Sequence, residues 1–131
     1  MSSNRKKPPI VIGIELRGSY RESVEMGMQA VKRKDKEYLV IVHGGLRCWN
    51  VEGLCQALIE FHQPNARYKI WLGCNYFKRL PHIICLVPNV VALGLGFNLM
   101  TAQAAIPDEL HKLTMLKELY LGGNRMPVLN I

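Results

Sequence analysis

The 131-residue sequence predicts an α/β fold in which about five parallel strands alternate with helices or turns. Two observations support this prediction. Between Val90 and Met126, one pattern of apolar residues and an asparagine occurs twice. Upstream, short runs of β-branched residues alternate with segments whose apolar residues recur at helical spacing. Because a strand–helix–strand connection joins parallel strands, the alternation favours one parallel sheet.

The repeated pattern reads L-x-x-L-x-L-x-x-N-x-L, with Val or Met at some leucine positions, and it occupies Val90–Met100 and Leu116–Met126. Alternating residues such as Leu93 and Leu95 are typical of a short strand whose side chains of like parity share one face. The asparagine ends the strand in a turn, where its amide can bond to free backbone groups of neighbouring copies. One copy cannot bury its own apolar face, so we expect the copies to stack.

This pattern resembles the leucine-rich repeat family, whose unit of about 20–29 residues carries the same signature. The resemblance implies a solenoid with about five parallel strands on the concave face and helices or turns on the convex face. A third copy at Ile70–Phe77 carries the signature with Asn75. The first two units have Ser19 and Gly44 at the asparagine position, and their long connections are similar to ribonuclease-inhibitor repeats.

The N-terminal elements follow from local signals. Strands are predicted at 10–16, 37–43 and 67–75, each rich in β-branched or aromatic residues. A helix is predicted from Tyr20 to Lys34, with Ser19 as its N-cap and basic residues at its end. A second helix is predicted from Asn50, as N-cap, to Gln63.

The strands are predicted to be equivalent at Ile14, Leu39, Ile70, Leu93 and Leu119. In this register the core comprises Ile14, Leu16, Val24, Met28, Leu39, Ile41, Leu54, Leu58, Ile70, Leu72, Ile84, Leu93, Leu95, Leu110, Leu113, Leu116, Leu119 and Leu121. Residues of the other parity should face solvent on the concave side.

The polar and basic residues 1–9, which end in two prolines, are predicted to form a flexible tail. The length of the chain predicts one domain at 10–131. The competing fold is a doubly wound α/β domain at 10–75 with a repeat-like tail. No capping helix follows the last copy, and Met126-Pro-Val-Leu129 is still apolar. The alternatives are that this tail covers the last strand, that the end self-associates with another chain, or that the solenoid is incomplete.

The composition predicts an intracellular protein that does not span a membrane, in the cytoplasm or alternatively the nucleus, because no apolar run reaches about 18 residues. The four cysteines form no C-x-x-C pair, so we expect free thiols and no metal site. Nucleotide-binding, zinc-protease and serine-hydrolase motifs are absent from the sequence. We therefore expect a non-enzymatic protein with no catalytic residues and no cofactor.

The resemblance implies a protein–protein interaction module that binds its partner through the concave face. Aromatic side chains flanked by charges are typical of protein-binding hot spots. The predicted partner-binding residues, on or beside the strands, are Glu15, Arg17, Tyr38, Lys69, Trp71, Phe97, Glu118 and Tyr120. Gly73, Gly96 and Gly122 recur at one position and are expected to leave a groove in the sheet.

The charge distribution supports an alternative function. Of the net charge of +7, most lies in residues 1–36. The basic patch Lys32, Arg33, Lys34 and Lys36 predicts binding to nucleic acid or to another acidic surface. The alternative interpretation of the same residues is a solvated helix end with no binding role.

Overall fold

The computed structural model describes residues 7–44, 50–73, 77–100 and 107–124. The strands in these ranges are β1 (Ile10–Glu15), β2 (Tyr38–His43), β3 (Ala66–Trp71), β4 (Val90–Gly94) and β5 (Glu118–Tyr120), and the helices are α1 (Tyr20–Met28) and α2 (Val51–Glu60). Two 3₁₀ helices, His82–Leu86 and Asp108–Lys112, lie in the last two connections. The prediction of an α/β fold with five parallel strands is confirmed.

The sheet has the strand order β1-β2-β3-β4-β5, and every neighbouring pair is parallel. A doubly wound sheet reverses its direction of growth part-way, so that strands adjacent in sequence become separated in space. Here each strand lies beside its neighbour in sequence. The doubly wound alternative is therefore wrong.

The helices form a second layer, which we call the connector layer. In it α1 packs on α2, α2 packs on the 3₁₀ helix His82–Leu86, and that helix packs on Asp108–Lys112. The order matches that of the strands, so each connection lies beside the next. The opposite face of the sheet, which we call the outer face, has no helix among the described residues.

The core lies between the sheet and the connector layer. Predicted core residues that are buried are Ile14, Val24, Met28, Leu54, Leu58, Ile70, Leu72, Ile84, Leu93, Leu95 and Leu113. Those that pack against this core while partly exposed are Leu16, Leu110, Leu116, Leu119 and Leu121. The smaller burial toward β5 follows from its position at an edge of the sheet.

The predicted register of β2 is wrong. Val42, and not Leu39, lies between Ile14 and Ile70. An odd shift in register moves every side chain of a strand to the other face. Accordingly Tyr38, Val40 and Val42 are buried in the core, whereas Leu39 and Ile41 lie on the outer face and are half-buried.

Both helices begin at the predicted caps. The Ser19 side chain accepts from the amide of Glu22, and the Asn50 side chain accepts from the amide of Gly53. The predicted extension of α1 to Lys34 is wrong, because α1 ends at Met28. There the amides of Ala30 and Val31 bond to carbonyls three residues back, which closes a turn and buries Val31.

Some predictions concern residues outside the described ranges. These are the tail residues 1–6, Leu46, Cys48, Cys74, Asn75, and the apolar end from Met126 to Ile131. Residues 7–9 are exposed and directly precede β1.

Candidate functional site

An aromatic pair lies on the outer face at the C-terminal half of the sheet. Trp71 on β3 and Tyr120 on β5 are neighbours of the same β4 residue, Gly94. Their ring centroids are 5.4 Å apart with the planes tilted by 48°. A Cβ on Gly94 would lie 2.0 Å from Trp71 Cε3, so the indole rests directly on the glycine backbone. The absence of a side chain at position 94 is what allows the two rings to meet.

A charged pair crosses the sheet one row before the aromatic pair. Lys69 on β3 and Glu118 on β5 are both neighbours of Ala92 on β4. Lys69 Nζ and Glu118 Oε2 are 3.8 Å apart, and Ala92 beneath them is fully buried. Desolvation, followed by the charge of Glu118, raises the pKa of the Tyr120 phenol. The two rows together form what we call the aromatic–charged patch: Lys69, Trp71, Glu118 and Tyr120.

The patch continues across the sheet toward β1. In the row of Trp71, the neighbour on β2 is His43 and the next residue, on β1, is Glu15. Glu15 forms an exposed ion pair with Arg17. Glu15 therefore lies on the same face as Trp71, at the β1 edge of the sheet, and Arg17 is bonded to it.

Tyr38 does not belong to this face. Its side chain is only 4% exposed and lies in the core, and its hydroxyl accepts a hydrogen bond from the amide of Arg33. The prediction of Tyr38 as an outward, partner-binding residue is wrong for the same reason as the register of β2. The first five residues of Tyr38–His43 are all apolar. The sequence therefore has no alternation of polar and apolar residues to show which side chains face the core.

Phe97 lies at the turn after β4. It is 70% exposed and has a positive φ of 56°. A Cβ on Gly123, which itself has a φ of 77°, would lie 2.5 Å from Phe97 Cδ1. Phe97 thus covers the next turn of the chain, beside the aromatic–charged patch and at the C-terminal end of the strands.

The glycine row brings successive turns of the chain into close contact. A Cβ on Gly73 would lie 3.2 Å from the carbonyl oxygen of Gly96, and a Cβ on Gly96 would lie 3.0 Å from that of Gly122. Both approaches are tighter than side chains normally accept. The glycines at 73 and 96 therefore let successive turns pack backbone against backbone.

Asparagine amides join these turns, as the sequence predicts. The Asn98 amide donates to the carbonyls of Leu72 and Leu95, while its oxygen accepts from the amide of Phe77. Asn124 repeats the arrangement one unit later, donating to Leu95 and accepting from the amide of Met100. The patch is consequently held on turns that are bonded to one another.

A second set of asparagines at the N-terminal ends of the strands was missed by sequence reasoning. Asn65 donates to the carbonyls of Arg33 and Lys36, and Asn89, with a φ of 57°, donates to those of Pro64 and Ala66. The available signal is a Pro-Asn dipeptide that recurs immediately before β3 and before β4.

The basic patch lies on the loop between α1 and β2 and not at a helix end. Arg33 is paired with Asp35 at 2.9 Å, and this hydrogen bond holds the pKa of the Asp35 carboxyl below its usual range. Lys32 and Lys34 are exposed, and Lys36 is partly covered. The arginines Arg17, Arg21 and Arg67 also bond to carboxylates of this chain.

The residues that could support chemistry are scattered. The side chains of Cys55 and Cys85 are buried, and burial raises the pKa of the Cys85 thiol. His82 Nδ1 lies 3.5 Å from Glu109 Oε2 in the connector layer. Within the described ranges, no three His, Cys, Asp or Glu side chains are grouped to hold a metal ion.

Comparisons with protein-family models, with curated proteins and with solved structures find no match to this chain. None of the helices in the described part of the chain is long and apolar enough to cross a lipid bilayer.

Proposed function

We propose that this chain is a short solenoid of the leucine-rich repeat type and that it acts as a non-enzymatic protein-binding module. The strand order, the single connector layer and the recurring asparagine bonds support the solenoid. In such a solenoid the outer face is the concave face. We place this role in the cytoplasm, where the buried Cys85 thiol would stay reduced.

The observation that carries the proposal is the aromatic–charged patch on a face that no described helix covers. Trp71 and Tyr120 supply apolar area with few rotatable bonds, so little conformational entropy is lost when a partner binds. Gly94 and the ion pair between Lys69 and Glu118 hold these rings and charges in one arrangement. A preformed aromatic pair rimmed by charges is the anatomy of a protein-binding hot spot.

The alternative, binding to nucleic acid or another acidic surface, has less support. Arg17, Arg33 and Arg67 already bond to carboxylates of the same chain, so much of the basic charge is locally balanced. The exposed Lys32 and Lys34 remain the candidates for such contacts.

The test begins with affinity capture from native extract by the intact protein, followed by direct binding measurements with each captured protein. Trp71→Ala combined with Tyr120→Ala should abolish binding, whereas Met26→Ala, on the exposed face of α1, should not. Charge reversal at Lys32, Arg33 and Lys34 should leave binding to this partner unchanged. Circular dichroism verifies that each variant is folded.

A charge swap gives a sharper variant, because it keeps the ion pair. Lys69→Glu combined with Glu118→Lys preserves the attraction across Ala92 but reverses the charges that a partner meets. We expect a folded protein with at least tenfold weaker binding, about 1.4 kcal/mol. Undiminished binding by both patch variants would overturn the assignment of the outer face. Loss of binding only on reversal of the lysine patch would favour the alternative.

A further inference from the structure

The edge of the sheet formed by β1 has unused hydrogen-bonding groups. Within the described ranges no strand pairs with its outer side. The amide of Ile10 donates to Glu37 and that of Leu16 donates to His43, so the even-numbered amides point toward β2. The backbone N–H and C=O groups of Val11, Gly13 and Glu15 consequently point away from β2, outward from the open edge.

This edge lacks the usual protection against strand pairing. Natural edge strands are short, bulged, or interrupted by lysine or proline. β1 has six residues, pairs with β2 in unbroken register, and contains neither lysine nor proline. Gly13 has no heavy atom within 4 Å of the place where a Cβ would lie. At the other edge, β5 has only three residues.

Exposed apolar side chains lie on and beside this edge. Ile10 is 42% exposed, Val11 is 60% exposed, and Met26 on α1 is 71% exposed. Gly27 of α1 packs against Ile14, whereas Ile10 and Val11 at the start of the strand stay exposed. An added strand would cover Ile10 and Val11 and would satisfy the open backbone groups.

We propose that β1 pairs in antiparallel fashion with β1 of a second copy of this chain, with Gly13 on the twofold axis. From Ile10 to Leu16 the even-numbered residues are all apolar and are symmetric about Gly13, whereas Val11 is opposite Glu15. In this register Ile12 of one copy lies beside Ile14 of the other, and Ile10 lies beside Leu16. Val11, Gly13 and Glu15 all exchange backbone hydrogen bonds, and the prolines at 8 and 9 fall outside the bonded region.

Symmetry requires the antiparallel arrangement when both connector layers lie on the same side of the joined sheet, because the twofold axis is then normal to the sheet. Arg17 and Arg21 offset Glu15 and Glu22 at the C-terminal end of β1, so charge does not select the direction. The symmetric order of the apolar residues about Gly13 is the reason to assign the edge to a second copy.

The dimer is separate from the aromatic–charged patch and does not depend on the proposed function. It would join two five-stranded sheets into one, with both outer faces on the same side. Each copy would keep its Trp71–Tyr120 pair accessible, because these residues lie on the third and fifth strands, away from the β1 edge.

The test is the mass of the full chain in solution, measured by light scattering and sedimentation over a dilution series. The expected result for the wild type is twice the 14.9 kDa of one chain at high concentration. Val11→Lys and Gly13→Pro should be monomeric, since the first places a charge on the edge and the second removes an amide that does not bond to β2. Leu86→Lys, an exposed site in the connector layer, is the matched control and should remain dimeric.

Amide hydrogen exchange in the wild type provides a measurement that needs no variant. Exchange at Val11, Gly13 and Glu15 should slow as concentration rises, while exchange at Glu118 and Tyr120 on the opposite edge should not change. A wild-type chain that stays monomeric throughout the series would overturn the proposal. So would a dimer in which the β1 amides exchange at a concentration-independent rate, even if both edge variants fail to fold.

Discussion

Asn98 donates its side-chain amide to the carbonyl oxygen of Leu72, 26 residues earlier, at 3.1 Å. The same amide group also bonds to the carbonyl of Leu95, and the Asn98 side chain is almost fully buried. One side chain therefore ties together the turns that follow β3 and β4.

The first prediction concerns this residue. Asn98→Ala removes one hydrogen bond each from the carbonyls of Leu72 and Leu95 and from the amide of Phe77. Losing these three bonds at a buried site should lower the free energy of unfolding by about 3 kcal/mol. Urea denaturation measures the loss. Asn124→Ala, at a partly exposed site of the same kind, should cost less, and equal losses at the two sites would contradict the role assigned to burial.

The second prediction concerns the glycine beneath the aromatic pair. Gly94→Ala places a methyl group where the Trp71 ring now lies, so the indole must turn away from Tyr120. We expect a loss of about 1–3 kcal/mol of stability and a shift of the Trp71 indole resonance in NMR spectra. Gly122→Ala is the control, because nothing lies near the position of its added Cβ. An unmoved Trp71 resonance in Gly94→Ala would contradict the packing described.

The third prediction concerns the register of β2. Val40 is buried in the core, whereas Ile41 lies half-exposed on the outer face. Val40→Asp should abolish folding, because it buries an unpaired carboxylate, and Ile41→Asp should leave a folded protein. Circular dichroism and thermal melting distinguish the two variants. The reverse pattern would restore the register expected from the sequence.

The fourth prediction concerns pH. His62 Nδ1 lies 2.9 Å from the hydroxyl of the buried Tyr68, and burial lowers the pKa of His62. The unfolded chain therefore takes up this proton first as pH falls below the ordinary histidine value of about 6.5. Stability should decline from there until pH passes below the folded pKa, since protonation favours the unfolded state throughout that window. His62→Gln should flatten this part of the stability profile, and His111→Gln, at an exposed site, should not.

The repeated pattern predicted the strands and turns correctly where a residue type has a single structural role, as leucine has in these strands and asparagine in these turns. Leu93 and Leu95 alternate with glycines, so their inward parity was readable, and Asn98 and Asn124 mark the turns directly. Equating positions in successive copies also placed Trp71 and Tyr120 on the same face. β2 carries no comparable mark, since its residues are apolar on both faces. In β2, packing against the helices decides which side chains face the core, and the sequence pattern does not show this.

The end of α1 and the asparagines before the strands required information from tertiary contacts. Val31 has the spacing of a helical core residue, but it reaches the core from a turn that follows Met28. The amides of Asn65 and Asn89 bond to the carbonyls of Lys36 and Pro64 in the preceding connections, more than 20 residues away. Local propensity describes neither contact, although the recurring Pro-Asn dipeptide identifies the positions in retrospect.

The strand order also affects how the chain folds and how it unfolds. Since every strand pair is formed by neighbours in sequence, no pairing requires closure of a loop that encloses a third strand. Assembly can therefore start at any adjacent pair of strands and proceed outward. Because each strand pairs only with its neighbours in sequence, heat or denaturant should unfold the terminal strands first. We expect fraying of β5 before loss of β2 and β3, which are paired along both edges and covered on one face by the connector layer.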